Sequence, residues 1–357
     1  MSNKMLVVYN TCGLGEVPKV QEWIKRIKPL VSQSLDGVRI CHSDNGSDDK
    51  SLNVIKKEFG KKMSYFNIKE PLPVHITFNA CVRECVGRFG EFEYYVHLSS
   101  GTTFDEPDDL EKIYNYLKTD GDIARCVVPA KNDNSAPIDF ITHAIELKHQ
   151  NNIRGKSHRI EQTPEMQKWD KSKKYVLKPG QRSTNHASII SNEWYNKFGG
   201  KLHPDIYNGI GVEGNYSFLA TSIHKQNVII PTNILGRYVP NDEVEGTSDR
   251  HNLREKRKNW MFRKLRDLEK INLKYHHLGY ITDLPMRYRL ESKVVINGMV
   301  VSDHEDESVR YTKDLFDENG FYIDEKNERF LFDALTKNLF LNDKEFNYDN
   351  IEGYMYE

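Results

Sequence analysis

Between Lys4 and Leu98 short apolar runs alternate with amphipathic stretches, and this alternation constrains the chain more than any other feature. Lys4 to Tyr9 reads as a strand, Asn10-Thr11-Cys12-Gly13-Leu14-Gly15 as a loop, and Val17 to Leu30 as a helix with Val20, Trp23, Ile24 and Ile27 at helical spacing. Gly37 to His42 is a second strand, ending in the polar run Ser43-Asp44-Asn45-Gly46-Ser47-Asp48-Asp49. A helix from Lys50 to Phe59 follows, with Ser47 or Asp48 as its N-cap. Met63 to Ile68 is a third strand, and His75 to Phe89 a helix. The pattern predicts an α/β fold: a doubly wound, mostly parallel sheet with helices on both faces.

The helix leads into Tyr94-Tyr95-Val96-His97-Leu98, an apolar run that stops at Ser99-Ser100-Gly101 and resumes as Thr102-Thr103-Phe104 before the turn Asp105-Glu106-Pro107-Asp108-Asp109. This is a buried strand whose carboxyl end opens onto a corner of small residues, where a ligand or another backbone can approach. In an open α/β sheet, ligands bind at that end of the strands.

Further on, Leu110 to Leu117 is an amphipathic helix and Asp122 to Pro129 a strand. Residues 131–181 are polar and poorly periodic, an insertion of loops and short helices on the substrate side. Ser188 to Ser191 reads as a strand, Asn192 to Phe198 as a short helix closed by Gly199-Gly200, Asn215 to His224 as a helix, and Asn227 to Pro231 as the final strand. The expected division is a core domain at 1–235, a flexible span (Gly236 to Asp249) and basic helix at 236–279, and an appendage of weak strands and helices at 280–357.

Hydrophobic content of 38% and charged content of 29% describe an ordinary soluble chain. No apolar run approaches the ~20 residues that span a bilayer, and the N-terminal apolar segment is too short for a signal peptide, so a cytoplasmic location is expected. The five cysteines, Cys12, Cys41, Cys81, Cys85 and Cys126, are odd in number and scattered, which argues against a disulfide framework. Cys81 and Cys85 have no second cysteine pair to complete a zinc site, and reduced, partly buried thiols are the favoured reading. The net charge of −1 is unevenly spread: Arg250 to Lys274 holds ten Lys or Arg against three acids, while the tail after Val301 is acidic.

Three pieces, in this order, resemble the GT-A class of nucleotide-sugar glycosyltransferases, particularly the large family 2 type. Ser43-Asp44-Asn45-Gly46-Ser47-Asp48-Asp49 looks like that family's Asp-Asp/Asn-Gly-Ser-x-Asp turn. Leu98-Ser99-Ser100-Gly101-Thr102-Thr103-Phe104 stands where the family has Leu-Asp-x-Asp-x-x-Phe. Phe198-Gly199-Gly200 with Gly211-Val212-Glu213-Gly214 is similar to its Phe-Gly-Gly and Gly-x-Glu-Asp region. The resemblance covers about residues 4 to 235.

The resemblance implies a transferase moving a sugar from a nucleotide-sugar, a UDP-sugar by preference, to a hydroxyl acceptor. Asp44 would take the N–H of a uracil-type base or ribose hydroxyls, with Thr11 beside it; the competing role is a capped strand-to-helix turn. Asn79 falls where the family often carries an Asn near the donor. Ser99, Ser100 and Gly101 would border the donor, but the paired aspartates that hold Mn or Mg in the family are absent here. Three explanations compete. A metal is held otherwise, by Asp105 or His251; the diphosphate is neutralised by Arg237, Arg250, Arg254 or Lys256; or the site is dead and the protein is a sugar-binding module. The second, metal-independent route is favoured because guanidinium forks match phosphate geometry.

Glu213 is the candidate base for the acceptor hydroxyl, against a solvated helix-terminal acid as its bland role. The family shows Glu-Asp there and this chain Glu213-Gly214, so one carboxylate stands where two are common. Gly199, Gly200, Lys258 and Arg263 are the acceptor-side candidates. The span Arg254 to Arg266 mixes cations with aromatics and suits a diphosphate, an anionic lipid headgroup or a nucleic-acid backbone. Two acceptors follow. A saccharide or lipid-linked glycan is favoured; the alternative is hydroxymethylated DNA, modified with a sugar such as arabinose or glucose by enzymes of the kind large phages encode.

Overall fold

The structure is a computed structural model of the 357-residue chain. It describes residues 3–11, 17–68, 74–99, 102–129, 138–139, 169–176, 181–182, 187–197, 200, 226–231, 237–238, 294–296, 299–302 and 353–356. The first half alternates as expected: β1 (Met5–Thr11), α1 (Val17–Val31), β2 (Val38–Asn45), α2 (Asp49–Phe59), β3 (Ser64–Ile68), α3 (Val74–Phe89), β4 (Tyr94–Ser99), β5 (Thr102–Thr103), α4 (Asp109–Thr119) and β6 (Ile123–Val127). There follow β7 (Ile138–Asp139), β8 (Tyr175–Val176), β9 (Gln181–Arg182), β10 (Ala187–Ser191), α5 (Asn192–Lys197), β11 (Gln226–Ile229), β12 (Arg237–Tyr238), β13 (Val294–Ile296), β14 (Met299–Ser302) and β15 (Gly353–Tyr356).

Nine strands form one mixed sheet in the order β15-β3-β2-β1-β4-β10-β6-β11-β8. β3, β2, β1 and β4 are mutually parallel, β10 is antiparallel to both its neighbours, and β11 is parallel to β6. β15 and β8 close the two edges antiparallel. Six of the nine strands therefore point one way, and the fold is α/β with a mostly parallel sheet. β1 is buried along its whole length, as its unbroken apolar run demands of a strand covered on both sides.

Alternate side chains of the sheet feed two layers. Met5, Val7 and Tyr9 join Val96 and Leu98 in a core with Trp23 and Ile27 of α1, Phe59 of α2 and Ile113 and Leu117 of α4. Trp23 is fully buried, its ring edge-on to Tyr9 at 5.5 Å and tilted against His42 at 5.1 Å. On the other face α3 lies over β1 and β2, and Tyr195 of α5 stacks on Tyr95 at 4.3 Å.

Several boundaries differ from the sequence reading. Asn10 and Thr11, expected in a loop, and Ser43, Asp44 and Asn45, expected in a turn, are strand residues. The parallel ladder runs on through Thr11 opposite Asp44 and Asp44 opposite Asn67, so pairing overrides the weak strand propensity of these polar residues. Of the two N-cap candidates, Asp48 caps α2, accepting the Ser51 N–H at 2.7 Å, while Ser47 turns back to Asp44. Asn227 to Pro231 does not hold the last strand. β12 pairs with β5, with Arg237 opposite Thr103, although residues 237–238 were expected in a flexible span. β13 and β14 form a hairpin.

β15, read by sequence as part of the appendage, is the edge strand of the main sheet beside β3. A Cβ at Gly353 would meet the tip of the Phe66 ring at 2.7 Å, so a side chain there would force the buried ring or the strand to shift. Within the expected insertion at 131–181, β8 joins the sheet and β7 pairs with β9. The expected helices at 215–224 and 254–266 lie outside the described residues. Among the described residues no helix is long and apolar enough to cross a membrane, and four cysteines, Cys41, Cys81, Cys85 and Cys126, are buried free thiols.

Candidate functional site

β1 connects through α1 to β2 on one side, while its other neighbour, β4, is reached through α3 on the opposite face of the sheet. Connections that leave adjacent strands in opposite directions open a crevice beyond their carboxyl ends. The crevice at β1 and β4 sits at Asn10 and Thr11 and at Ser99, which is paired with Asn10. Ser99, the first residue of the small-residue corner noted in the sequence, is therefore at the switch point.

The best-defined polar cluster in this region joins β1 and β2. Asp44 is fully buried. Its Oδ1 accepts the Ser47 hydroxyl at 2.5 Å and the Thr11 hydroxyl at 3.1 Å, and its Oδ2 accepts the Ser47 backbone N–H at 2.9 Å. Gly46, at φ 89°, makes the left-handed turn that brings Ser47 back. His42 Nε2 lies 2.8 Å from Thr11 Oγ1.

Burial pushes the Asp44 carboxyl up to about 6, with the Ser47 and Thr11 hydrogen bonds opposing the rise. Burial, helped by the Lys56 charge, pushes His42 down to about 3, so its ring is neutral at pH 7. An ionised Asp44 only accepts, so the Thr11 proton points at it. The Nε2–H of His42 then donates to Thr11, and a single donor chain runs from imidazole through hydroxyl to carboxylate. Asn10 Nδ2, Ser43 Oγ, Asn67 Oδ1 and His42 Nδ1 are buried without hydrogen-bond partners among the described residues. Such atoms are uncommon in folded proteins, and these four belong to the same strand ends.

Of the residues singled out by sequence, Thr11 and Asp44 are in direct contact. Ser99 ends β4 opposite Asn10, and Asn79 is buried in the second turn of α3. Asp105 follows β5 and is half-buried. The pairing of β12 with β5 brings the backbone of Arg237 beside Thr103, a few residues beyond the corner. Gly200 lies three residues beyond α5, its N–H donating to the Tyr195 carbonyl at 3.0 Å. Ser100, Gly101, Gly199, Glu213, Arg250, His251, Arg254, Lys256, Lys258 and Arg263 lie outside the described residues.

His42, Asn10 and Asn67 were not singled out beforehand, and the signal for them is the strand register, which only pairing reveals. Ser47 was named only as an N-cap candidate, and its contact with Asp44, three positions away, is a local one. A cleft of about 450 Å³ opens at the other end of the sheet, lined by Asn3, Glu93, Tyr94, Lys118, Asp120 and Asn192. It lies at the amino ends of β4 and β6, away from the switch point, and is not the candidate site.

Mg and Mn take carboxylate, carbonyl and water oxygens, and among the described residues no group of three His, Cys, Asp or Glu gathers at these strand ends. The positions that the sequence resemblance sets against paired aspartates, Ser99 and Gly101, carry no carboxylate.

No protein-family model matches the chain, and no curated protein matches it. Among solved structures the chain is similar to the mannosyltransferase PcManGT from Pyrobaculum calidifontis in complex with GDP-Man and Mn2+, at 12% identity and a TM-score of 0.45, over 68% of this chain and 59% of that one. It is also similar to S. aureus TarS 1-349 in complex with UDP, at 11% identity and a TM-score of 0.42, over 67% of this chain and 62% of that one. Against a second structure of S. aureus TarS the figures are 12%, 0.39, 67% and 37%. The matches span less than two thirds of each of these proteins. At scores this low the likeness is one of partial chain path and assigns no residue or reaction.

Proposed function

We propose that this chain is a glycosyltransferase that uses a nucleotide-sugar, by preference a UDP-sugar, and passes the sugar to a hydroxyl acceptor on a saccharide or lipid-linked glycan. One observation carries the reading: a buried carboxylate, Asp44, hydrogen-bonded to Thr11 where the parallel strands end at the switch point. An ionised carboxylate there is suited to the N–H of a uracil-type base or to ribose hydroxyls. Its lone pairs already receive Thr11 and Ser47, so an incoming donor displaces a rotatable hydroxyl, and that of Ser47 is the simplest to turn away. The GT-A resemblance of the three sequence motifs supports the reaction class.

In the proposed reaction the acceptor oxygen attacks the anomeric carbon, the bond from that carbon to the diphosphate oxygen breaks, and Glu213 takes the hydroxyl proton. Arg237, with Arg250, Arg254 and Lys256, balances the charge developing on the leaving diphosphate. Asn79, Ser99, Ser100 and Gly101 border the donor; Gly199, Gly200, Lys258 and Arg263 face the acceptor. A metal held by Asp105 or His251 is the competing arrangement.

A DNA acceptor is the second reading, favoured by the ten cations between Arg250 and Lys274. The test is donor hydrolysis and transfer with UDP-sugars, with and without chelator, on glycan and hydroxymethylated DNA acceptors. Transfer that survives chelator and disappears in Glu213→Gln supports the proposal. Strict Mn or Mg dependence overturns the arginine route. UDP binding without turnover on either acceptor class leaves a sugar-binding module. DNA retention at low salt that weakens steeply with added salt favours the DNA acceptor, and no retention at low salt removes it.

A further inference from the structure

On the face of β2 opposite Asp44, Cys41 meets two cysteines of α3. Cys81 and Cys85 are spaced i, i+4 and so project from one side of the helix. Cys41, at 0% exposure, projects toward them from the strand. The Cys41 and Cys81 sulfurs are 3.4 Å apart, and all three Sγ atoms lie within 4.8 Å of one another. Cys81 and Cys85 are likewise at 0% exposure.

We infer that Cys41, Cys81 and Cys85 form a site for one thiophilic d10 cation, zinc or monovalent copper, that ties β2 to α3. Metal–sulfur bonds of about 2.3 Å place three sulfurs around one ion roughly 3.8–4.0 Å apart, a spacing slightly wider than the 3.4 Å between Cys41 and Cys81 and inside the 4.8 Å within which all three sulfurs lie. Soft thiolate ligands select such ions over Mg, Ca or Mn. Three sulfurs suit one ion better than a disulfide, which would use two and strand the third. No His, Asp or Glu completes the cluster among the described residues, so the ion would be three-coordinate or carry one small exogenous ligand. Arg39, on the same side of β2 and stacked 3.4 Å from the Phe89 ring of α3, supplies positive charge beside the sulfurs. Binding makes three sulfur–metal bonds and releases the thiol protons to solvent.

The ion would brace the strand that carries Asp44 against the helix that carries Asn79. It is separate from any donor-bound cation, because Cys41 and Asp44, three positions apart, project to opposite faces of the sheet.

The test uses the full chain, purified under reductant and stripped of metal. One arm titrates Zn(II) against a chromophoric chelator, and a second titrates Cu(I) from a buffered complex under argon. Uptake of one equivalent of either ion is expected, weakened at least a hundredfold in Cys81→Ser and in Cys85→Ser and unchanged in Cys126→Ser. Because a serine variant can fail to fold, X-ray absorption on the loaded wild type gives an independent readout, a shell of three sulfurs at about 2.3 Å. Failure of both arms on the wild type, undiminished uptake by a folded Cys81→Ser, a nitrogen or oxygen shell, or a Cys41–Cys81 disulfide under reductant overturns the assignment.

Discussion

Replacing Asp44 by Asn separates what this carboxylate does for folding from what it does for binding. Asn keeps the shape of a protonated Asp, one acceptor oxygen beside one donor group, but never ionises. The folded carboxyl titrates near 6 against an ordinary value of 3.8, chiefly through burial. The folded chain therefore holds an extra proton between those values, and wild-type stability falls as pH rises through that window. At about 1.4 kcal/mol per pH unit the ionised group costs on the order of 3 kcal/mol at pH 7. Asp44→Asn is thus expected to be more stable than wild type by up to about 3 kcal/mol near pH 7 and equal to it near pH 4. Urea unfolding of both chains from about pH 4 to about pH 7 measures this, and taking the difference cancels the common contribution of His42. The same variant should lose most of its UDP affinity, since its side-chain N–H₂ faces an incoming N–H. In the wild type, affinity should weaken as pH falls below about 6, by at most tenfold per unit. A difference flat across the pH range, or a variant less stable at pH 7, refutes the burial argument; unchanged UDP affinity refutes the binding role.

Glu213→Gln should lower transfer by about 10²–10⁴-fold while UDP binding is kept, as expected of a base that acts on the acceptor alone; steady-state kinetics with calorimetric UDP titration checks both. Arg237→Ala should reduce donor kcat/KM with chelator still without effect, and an Arg237→Lys variant should recover only part of the loss because a point charge lacks the bidentate fork. Gly353→Ala should destabilise the chain by about 1–3 kcal/mol, read by thermal unfolding, because its Cβ would collide with the buried Phe66 ring unless the ring or β15 shifts. Trp23→Ala should cost about 3–5 kcal/mol by the same measurement, since the buried indole is packed between Tyr9 and His42.

The alternation of apolar runs and amphipathic stretches was enough to predict the first half of the fold. Val20, Trp23, Ile24 and Ile27 are buried on one face of α1, as their spacing requires, and β1 through β4 fall where the apolar runs lie. Local signals failed where polar residues end strands. Asn10, Thr11, Ser43, Asp44 and Asn45 have the composition of turns, but the parallel ladder holds them extended because each finds a partner across the sheet. That register, absent from any local window, lets Thr11 donate to Asp44 and His42 donate to Thr11.

The sequence reads Ser99-Ser100-Gly101 as a corner of small residues, and the absence of carboxylates there is a fact of sequence alone. The place of Ser99 at the switch point, and the return of Arg237 beside Thr103, depended on strand order and on a pairing between segments more than a hundred residues apart. So did the meeting of Cys41 with Cys81 and Cys85, and the seating of Gly353 against Phe66. Periodicity fixes which residues are buried, because burial follows from the geometry of a helix or a strand. Which buried residues meet is decided by how the strands pair, and only the tertiary structure holds that information.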